Sequence, residues 1–273
     1  MTRTHTLGAL ALLGAALAVG CGKKDDGGSG TIDGNPLAGS RSADDKKEAA
    51  RRLRQLGVGL HHYHDSNGYF PAGVVGQKGQ LGLSWRVALL PYIEEEALYR
   101  QFKLDEPWDS EHNKKLIPKM PRLYESPGVS LSNGKTYLRA FAGPTGFIPG
   151  PYPLPKGAKG TPNSLWAGQT PGSAAGGRRM AEIQDGTSNS FMVVEAGEPI
   201  EWTRPDDLPA PPMPDGSPKQ QFPPLPKLGP FSEGGFQALF VDGSVRFIRN
   251  TVKEDSLRSA ITVNGGEVYS LDE

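Results

Sequence analysis

The segment Gly59–Gly73, GLHHYHDSNGYFPAG, holds the residues whose types and spacing could do chemistry. On a helix, His61 would share a face with His64 and Asp65, which are three and four residues away, and the three could reach one cation. A structural zinc site needs four ligands and a catalytic one needs three, and the adjacent sequence completes neither set. In the other interpretation, the histidines end a helix, where its dipole favours positive charge, and hydrogen-bond to the turn near Trp108–Asp109. We adopt this second interpretation and predict no metal.

Two Asp-Gly pairs, Asp185–Gly186 and Asp242–Gly243, raise the question of calcium. Calcium requires six to eight oxygen ligands, and neither pair belongs to a regular acidic loop motif. We therefore predict that both pairs form structural turns. Glu195 ends an apolar segment, and we expect it to be a buried acid paired with an arginine such as Arg86.

Local signatures of catalysis are missing from the sequence. It contains no G-x-S-x-G elbow, no P-loop, no H-E-x-x-H and no G-x-G-x-x-G after a strand. A catalytic role for Glu195 would need a partner acid or base within reach, and the sequence indicates none. We predict that the protein is not an enzyme and needs no cofactor.

Three tryptophans, Trp85, Trp108 and Trp202, are candidates for ligand binding together with His61 and His64. Aromatic rings in an exposed cleft would stack on a sugar or a peptide, and such a cleft would favour a solute-binding protein. Rings sealed in the core would instead favour a protein that acts by surface contact.

The N-terminus predicts a lipoprotein signal over residues 1–20. The apolar run Leu7–Val19 is too short to span a bilayer and is typical of a signal-peptide core. Small residues precede Cys21, as in a bacterial lipobox, so we expect cleavage after Gly20 and acylation of Cys21. This residue is the only cysteine, so no disulfide forms. Gly22 favours the outer membrane over the inner one.

Residues 21–41 are predicted to be a flexible tether from the lipidated Cys21, because they are rich in Gly, Ser, Asp and Lys and lack an apolar period. About 20 such residues reach roughly 25 Å. The remaining residues, 42–273, are predicted to be a single globular domain with loop insertions near 146–177 and 204–230.

A long helix is predicted to begin at the N-cap Ser42 and to end at the DSNG sequence. Its buried stripe repeats every three or four residues and consists of Ala49, Leu53, Leu56, Leu60 and Tyr63. Gly57 and Gly59 weaken the helix but let another backbone approach it closely.

Further elements are predicted from apolar periods and turn residues. We expect helices over Pro91–Phe102 and Asp255–Thr262, and a short one capped by Asp109 or Ser110. Strands are predicted over Lys135–Gly143 and Phe191–Glu195. A hairpin pairs Phe236–Val241 with Ser244–Ile248 through a two-residue primed turn at Asp242–Gly243.

Composition excludes one class of partner. The chain has 30 basic and 30 acidic residues and a formal net charge of zero. Nucleic-acid binding requires a surplus of Lys and Arg on one face, so we predict no nucleic-acid partner.

Several segments together resemble a bacterial family of unknown function, abundant in planctomycetes and sometimes tagged as extracellular solute-binding. They are LGVGLHHYHDSNGYFPAG, LSWRVALLPYIEEEALYRQFKLDEPWDSEHNKKL, IQDGTSNSFMVVEAG, EWTRPDDL and GGFQALFVDGSVRFI. The resemblance covers most of residues 46–267. It implies an α+β fold similar to pilins and pseudopilins, in which a long N-terminal helix packs on an antiparallel sheet.

The chain departs from that family in three places. A lipoprotein signal replaces the prepilin segment, so the apolar helix on which filament assembly depends is missing. Ser126 replaces a cysteine that many members have before the proline, and Ser232 replaces a histidine before the hairpin. Because the apolar helix needed for filament assembly is missing, we expect a monomer.

These features predict a non-enzymatic, lipid-anchored structural or interaction module on the extracytoplasmic side of the cell envelope. Its predicted partners are the bilayer, through Cys21, and an envelope protein or cell-wall component. The alternative is an extracytoplasmic solute- or glycan-binding protein.

Overall fold

The computed structural model describes residues 41–77, 81–131, 133–149, 169–212, 223–229, 234–266 and 269–271. The predicted signal peptide, Cys21, Ser232 and nearly all of the predicted tether lie outside these residues. The described residues belong to one compact unit of the chain. None of their helices is both long enough and apolar enough to cross a bilayer.

The described residues form four α-helices and nine strands, together with short 3-10 helices. The helices are α1 (Ala43–Asn67), α2 (Trp85–Ala88), α3 (Glu96–Tyr99) and α4 (Glu254–Ile261). The first five strands are β1 (Pro71–Val75), β2 (Leu81–Ser84), β3 (Lys135–Arg139), β4 (Phe141–Ala142) and β5 (Ala174–Gly176). The last four are β6 (Phe191–Glu201), β7 (Leu208–Pro209), β8 (Gly235–Phe240) and β9 (Val245–Arg249).

Helix α1 begins and ends as its sequence predicts. The Ser42 hydroxyl accepts the Asp45 N–H at 3.1 Å, which satisfies one of the free donors of the first turn. Gly68, with φ of 80°, ends the helix and donates its N–H to the His64 carbonyl. The predicted apolar stripe is buried throughout.

The main sheet has four antiparallel strands in the order β3-β6-β8-β9. Alternate residues of a strand point to opposite faces, so Leu239 of β8 packs toward α1 while Ala238 and Phe240 pack toward α4. This arrangement confirms the predicted α+β class with a long N-terminal helix packed on an antiparallel sheet. A second antiparallel sheet has the order β2-β1-β5, and β4 pairs in parallel with β7.

The predicted helix over Pro91–Phe102 is wrong as a continuous element. The chain instead forms a 3-10 turn at Leu90–Ile93, reverses at Glu94, whose φ is 65°, and resumes as α3. A Cβ on Gly59 would lie 3.3 Å from the Tyr92 carbonyl oxygen. This close contact with α1 confirms the role predicted for Gly59, and it fixes the turn against the local helix propensity.

The short helix expected after Asp109 is a 3-10 helix, Asn113–Lys119, which contains Pro118. The Ser110 hydroxyl accepts the Asn113 N–H at 3.1 Å. A proline lacks the N–H that an α-helix needs and clashes with the preceding turn, which accounts for the tighter helix.

The hairpin is confirmed, but its predicted turn type is wrong. A primed two-residue turn needs positive φ at its first central residue, and type I′ needs it at both. In Asp242–Gly243 only the second residue, Gly243, has a positive φ, of 82°. The Gly243 N–H donates to Phe240, and the Phe240 N–H donates to Ser244. The N–H groups of Val241 and Asp242 also donate hydrogen bonds to the 187–190 segment. These contacts with a distant segment cannot be predicted from the hairpin sequence alone.

Other boundaries shift. Strand β6 extends six residues past the predicted end at Glu195, and the predicted strand Lys135–Gly143 is divided into β3 and β4. The described parts of the two predicted loop insertions contain β5, which pairs with β1, and β7, which pairs with β4.

Candidate functional site

An open groove of about 400 Å³ runs along one side of α1, and we call it the polar groove. The turn at Leu90–Ile93 and a 3-10 turn at Arg122–Tyr124 form its other walls. Its charged lining residues are Glu48, Arg51, Arg52, Glu94, Glu95 and Arg122.

Arg52 organises the polar groove. Its Nε lies 2.8 Å from Glu48 Oε1, and its Nη1 donates to the Arg122 carbonyl at 2.7 Å and to Glu125 at 3.2 Å. Only 17% of the Arg52 side chain is exposed. Its guanidinium therefore joins α1 to the 122–125 segment in one fixed geometry.

Glu48 is held between two arginines. Arg51 donates to it through Nε and Nη2, at 2.7 and 2.8 Å, and Arg52 donates to it from the next position. Hydrogen bonds from Arg51, which has the larger effect, and from Arg52 lower the pKa of Glu48 to about 2. The groove therefore presents ordered charges of both signs at neutral pH.

Glu94 forms part of the opposite wall in a left-handed conformation. Its φ of 65° costs a non-glycine residue roughly 1–2 kcal/mol. Its N–H donates to the Leu90 carbonyl and closes the preceding turn. This turn brings Glu94 and Glu95 to the groove wall, across from the α1 arginines.

A second concavity, of about 490 Å³, lies beside the polar groove and shares Arg52 with it. We call it the Ser126 cavity. Its polar and charged lining residues are Arg52, Glu125, Ser126, Ser130, Asn133 and Lys135.

The histidine cluster packs against an aromatic residue. His64 Nε2 accepts the Met180 N–H at 3.2 Å, and both the His61 and His64 rings contact Phe70. The partner expected near Trp108–Asp109 is therefore wrong, because the chain brings the 178–182 segment to this helix end instead. Among the described residues, no three His, Cys, Asp or Glu side chains, including Asp65, form a group that could hold a metal ion.

The tryptophans do not surround a common open cleft. Trp85 and Trp202 are buried, with their Nε1 groups donating to Asp207 and to the Ile117 carbonyl. Trp108 is half-buried, with the Arg204 guanidinium over its ring. Buried indoles with satisfied N–H groups are core elements and cannot stack on a solute.

The Asp-Gly pairs have local structural partners. Asp185 accepts the N–H groups of Gly265 and Gly266 at 2.7 Å each, which ties the C-terminal segment to this turn. Asp242 accepts the Ser244 N–H at 2.8 Å. Gly186 and Gly243 both adopt the left-handed conformation.

Glu195 is buried, as the sequence predicts, but its predicted partner Arg86 is wrong. Glu195 pairs with Arg41 at 2.6 Å and also accepts the Gln237 N–H. Burial raises the pKa of Glu195, and these two partners oppose the rise. Arg41, the last residue of the predicted tether, is itself buried.

Arg86 pairs instead with Asp207, which sequence reasoning missed. Asp207 Oδ1 accepts from Arg86, from Trp85 and from the Ala140 N–H at 3.1–3.2 Å. Burial lowers the pKa of Arg86. No local pattern around Asp207 indicates this contact, which joins residues more than 100 positions apart.

The fold and these sites define an α+β protein with a long N-terminal helix, two buried ion pairs, and two open polar concavities beside α1. Residues 45–222 match the family model SBP_bac_10, described as "Protein of unknown function (DUF1559)". The match covers more than half of the chain, which therefore belongs to this family. Comparison with curated proteins and with solved structures gives no match.

Proposed function

We propose that the chain is an extracytoplasmic lipoprotein, anchored through acylated Cys21, whose folded body acts by contact and not by catalysis. The lipobox-like sequence before Cys21 supports the anchor, and Gly22 favours the outer membrane. The partner is an envelope protein or a cell-wall component, and the body binds it as a monomer.

The polar groove is the observation that carries this proposal. Its arginines and glutamates are ordered by mutual hydrogen bonds and remain accessible along an open face. Complementary charges of this kind select a partner more than they add affinity. The buried Trp85 and Trp202 leave contact through charged groups as the better supported mode of action.

Charge reversal in the groove tests the contact. Arg51 is exposed and lines the groove, so Arg51→Glu should abolish co-purification of a partner from detergent-solubilised envelopes. Arg54→Glu is the matched control, because Arg54 is an exposed arginine of the same helix that does not line the groove. Equal recovery of the partner with both variants would refute a contact at the groove.

Fractionation of cells tests the anchor separately. Cys21→Ala should move the protein from the membrane to the soluble fraction, because it loses its acyl chains. A variant that remains in the membrane fraction would show that another segment anchors the protein.

A second candidate function is extracytoplasmic solute or glycan binding. The name of the matched family model suggests solute binding, and the Ser126 cavity is a concavity of suitable size.

A further inference from the structure

The Ser126 cavity has the volume of a small-molecule site. Its volume of about 490 Å³ lies within the range of roughly 300–1,000 Å³ that ligand pockets occupy. Apolar side chains of Met120, Val129 and Leu131 line it together with the polar groups. Such a mixture provides contact area and a few orienting hydrogen bonds.

Two glycines hold the cavity wall in place. Gly128 and Gly134 have φ values of 72° and 82°, which favour glycine. A Cβ on Gly128 would lie 2.6 Å from the Asp45 carboxylate, and one on Gly134 would lie 2.5 Å from the Ile117 carbonyl oxygen. The wall therefore contacts the Asp45 side chain of α1 on one side and the 113–119 helix on the other.

Ser126 lines this cavity and has an unmet hydrogen bond. The residue is 5% exposed, and its hydroxyl oxygen, which is closed to solvent, has no hydrogen-bond partner among the described residues. A buried hydroxyl without a partner costs roughly 1–3 kcal/mol. A ligand oxygen or amide group that bonds to this hydroxyl, after rotation of the serine side chain toward the cavity, would recover this energy.

The charges lining the cavity favour one negative charge on the ligand. Arg52 and Lys135 supply two positive charges and Glu125 supplies one negative charge. Arg52 is already bonded to Glu48 and Glu125, whereas Lys135 Nζ lies 3.9 Å from Glu201 and the side chain is 39% exposed. One loosely held ammonium group matches a carboxylate better than a doubly charged phosphate, which needs several strong donors.

We propose that the Ser126 cavity binds a small organic carboxylate that also carries hydroxyl or amide groups. Lys135 pairs with the carboxylate, and Ser126 bonds to a neighbouring oxygen or amide. A uronic acid and a short peptide with a free C-terminus both have this chemistry. The inference deepens the second candidate function, solute or glycan binding, and rests on it. The contact function is tested separately at Arg51, which lines the polar groove and not the Ser126 cavity.

Calorimetric titration of the full chain tests this proposal with four probes: D-glucuronate, D-glucose, N-acetyl-dialanine and inorganic phosphate. At least one of the two carboxylates should bind at least tenfold more tightly than both glucose and phosphate, which is a difference of about 1.4 kcal/mol. The identity of the tighter carboxylate distinguishes a sugar acid from a peptide. Absence of binding by both carboxylates, or equal binding of glucose or phosphate, overturns the proposal.

Two variants locate the binding. Lys135→Gln and Ser126→Ala should each weaken the bound carboxylate at least fivefold, while Arg54→Gln leaves its affinity unchanged. Circular dichroism checks that each variant is folded, so that a loss of affinity reports the missing contact. Unchanged affinity in either cavity variant overturns the proposal. Arg51→Glu, which tests the polar groove, should leave carboxylate binding intact, so failure of one function is distinguishable from failure of the other.

Discussion

Arg41 Nη1 lies 2.6 Å from Glu195 Oε1, and both side chains are buried. The pair joins the residue just before the N-cap of α1 to the middle of β6, across 154 positions of sequence. The carboxylate also accepts the Gln237 N–H of β8 at 3.0 Å. The beginning of the helix is therefore attached to two strands of the main sheet through one buried acid.

Removal of the charge on Glu195 should destabilise the fold strongly. Glu195→Gln keeps an acceptor for the Gln237 N–H but leaves the buried guanidinium without this carboxylate, which costs about 3–5 kcal/mol. Urea unfolding followed by circular dichroism measures the loss, with Arg54→Gln as an exposed control. A change of less than about 0.5 kcal/mol, which is usual for surface substitutions, would mean that the pair does not hold the fold.

Removal of Arg41 should change the pH dependence of stability. Burial raises the pKa of Glu195 from its ordinary value of 4.5, and Arg41 opposes the rise, so Arg41→Met should raise it further. A raised pKa means that, between the unfolded and the folded pKa of Glu195, the folded state binds more protons than the unfolded state. The contribution of Glu195 to the free energy of unfolding is then highest below about pH 4.5 and falls as pH rises through the folded pKa.

Urea titrations at several pH values check this expectation. Arg41→Met should lose stability more steeply than the parent chain as pH rises above about 4.5. Parallel pH profiles for the two proteins would show that Arg41 does not control the ionisation of Glu195.

Gly59→Ala should destabilise the protein, although alanine is more favourable than glycine inside a helix by about 1 kcal/mol. The new Cβ would lie 2.6 Å from Ile93 Cγ2 and 3.3 Å from the Tyr92 carbonyl oxygen, and overpacking of this kind costs about 1–3 kcal/mol. Val58→Ala is the control at the neighbouring position, which is 55% exposed. Its free energy of unfolding should rise by up to about 0.5 kcal/mol, because alanine favours helices more than valine does. A more stable Gly59→Ala variant would show that the 90–93 turn can move away from α1.

Ser126→Ala should stabilise the unliganded protein by about 1 kcal/mol, because it removes a buried hydroxyl without a partner. Ser130→Ala is the control, since Ser130 lines the same cavity but is exposed, and its thermal midpoint should match the parent chain. A lower midpoint for Ser126→Ala would indicate that this hydroxyl is satisfied in solution.

Local signals predicted the elements that depend on neighbours in sequence. The N-cap Ser42, the apolar stripe of α1, the glycine end at Gly68 and the β8–β9 hairpin all follow from residues a few positions apart. The turn at Glu94 did not follow, because the residues just before it, Tyr92 and Ile93, pack against Gly59, which is distant in sequence.

The candidate site was less predictable for the same reason. The conspicuous residue types at His61, His64 and the tryptophans indicate candidate ligand-binding positions. The structure instead gives His64, Trp85 and Trp202 partners in or near the core. The polar groove depends on Arg52 meeting the 122–125 segment, 70 positions away. The charged helix face gave no sign of which arginine would make that contact.

Photo-crosslinking in living cells tests the proposed contact most directly. Benzoylphenylalanine would replace Arg51, which lines the polar groove, and in a second variant Arg54, which does not. We predict a discrete crosslinked adduct of higher mass from position 51 that is missing from position 54. The same adducts from both positions, or none from position 51, would contradict a contact function for the groove.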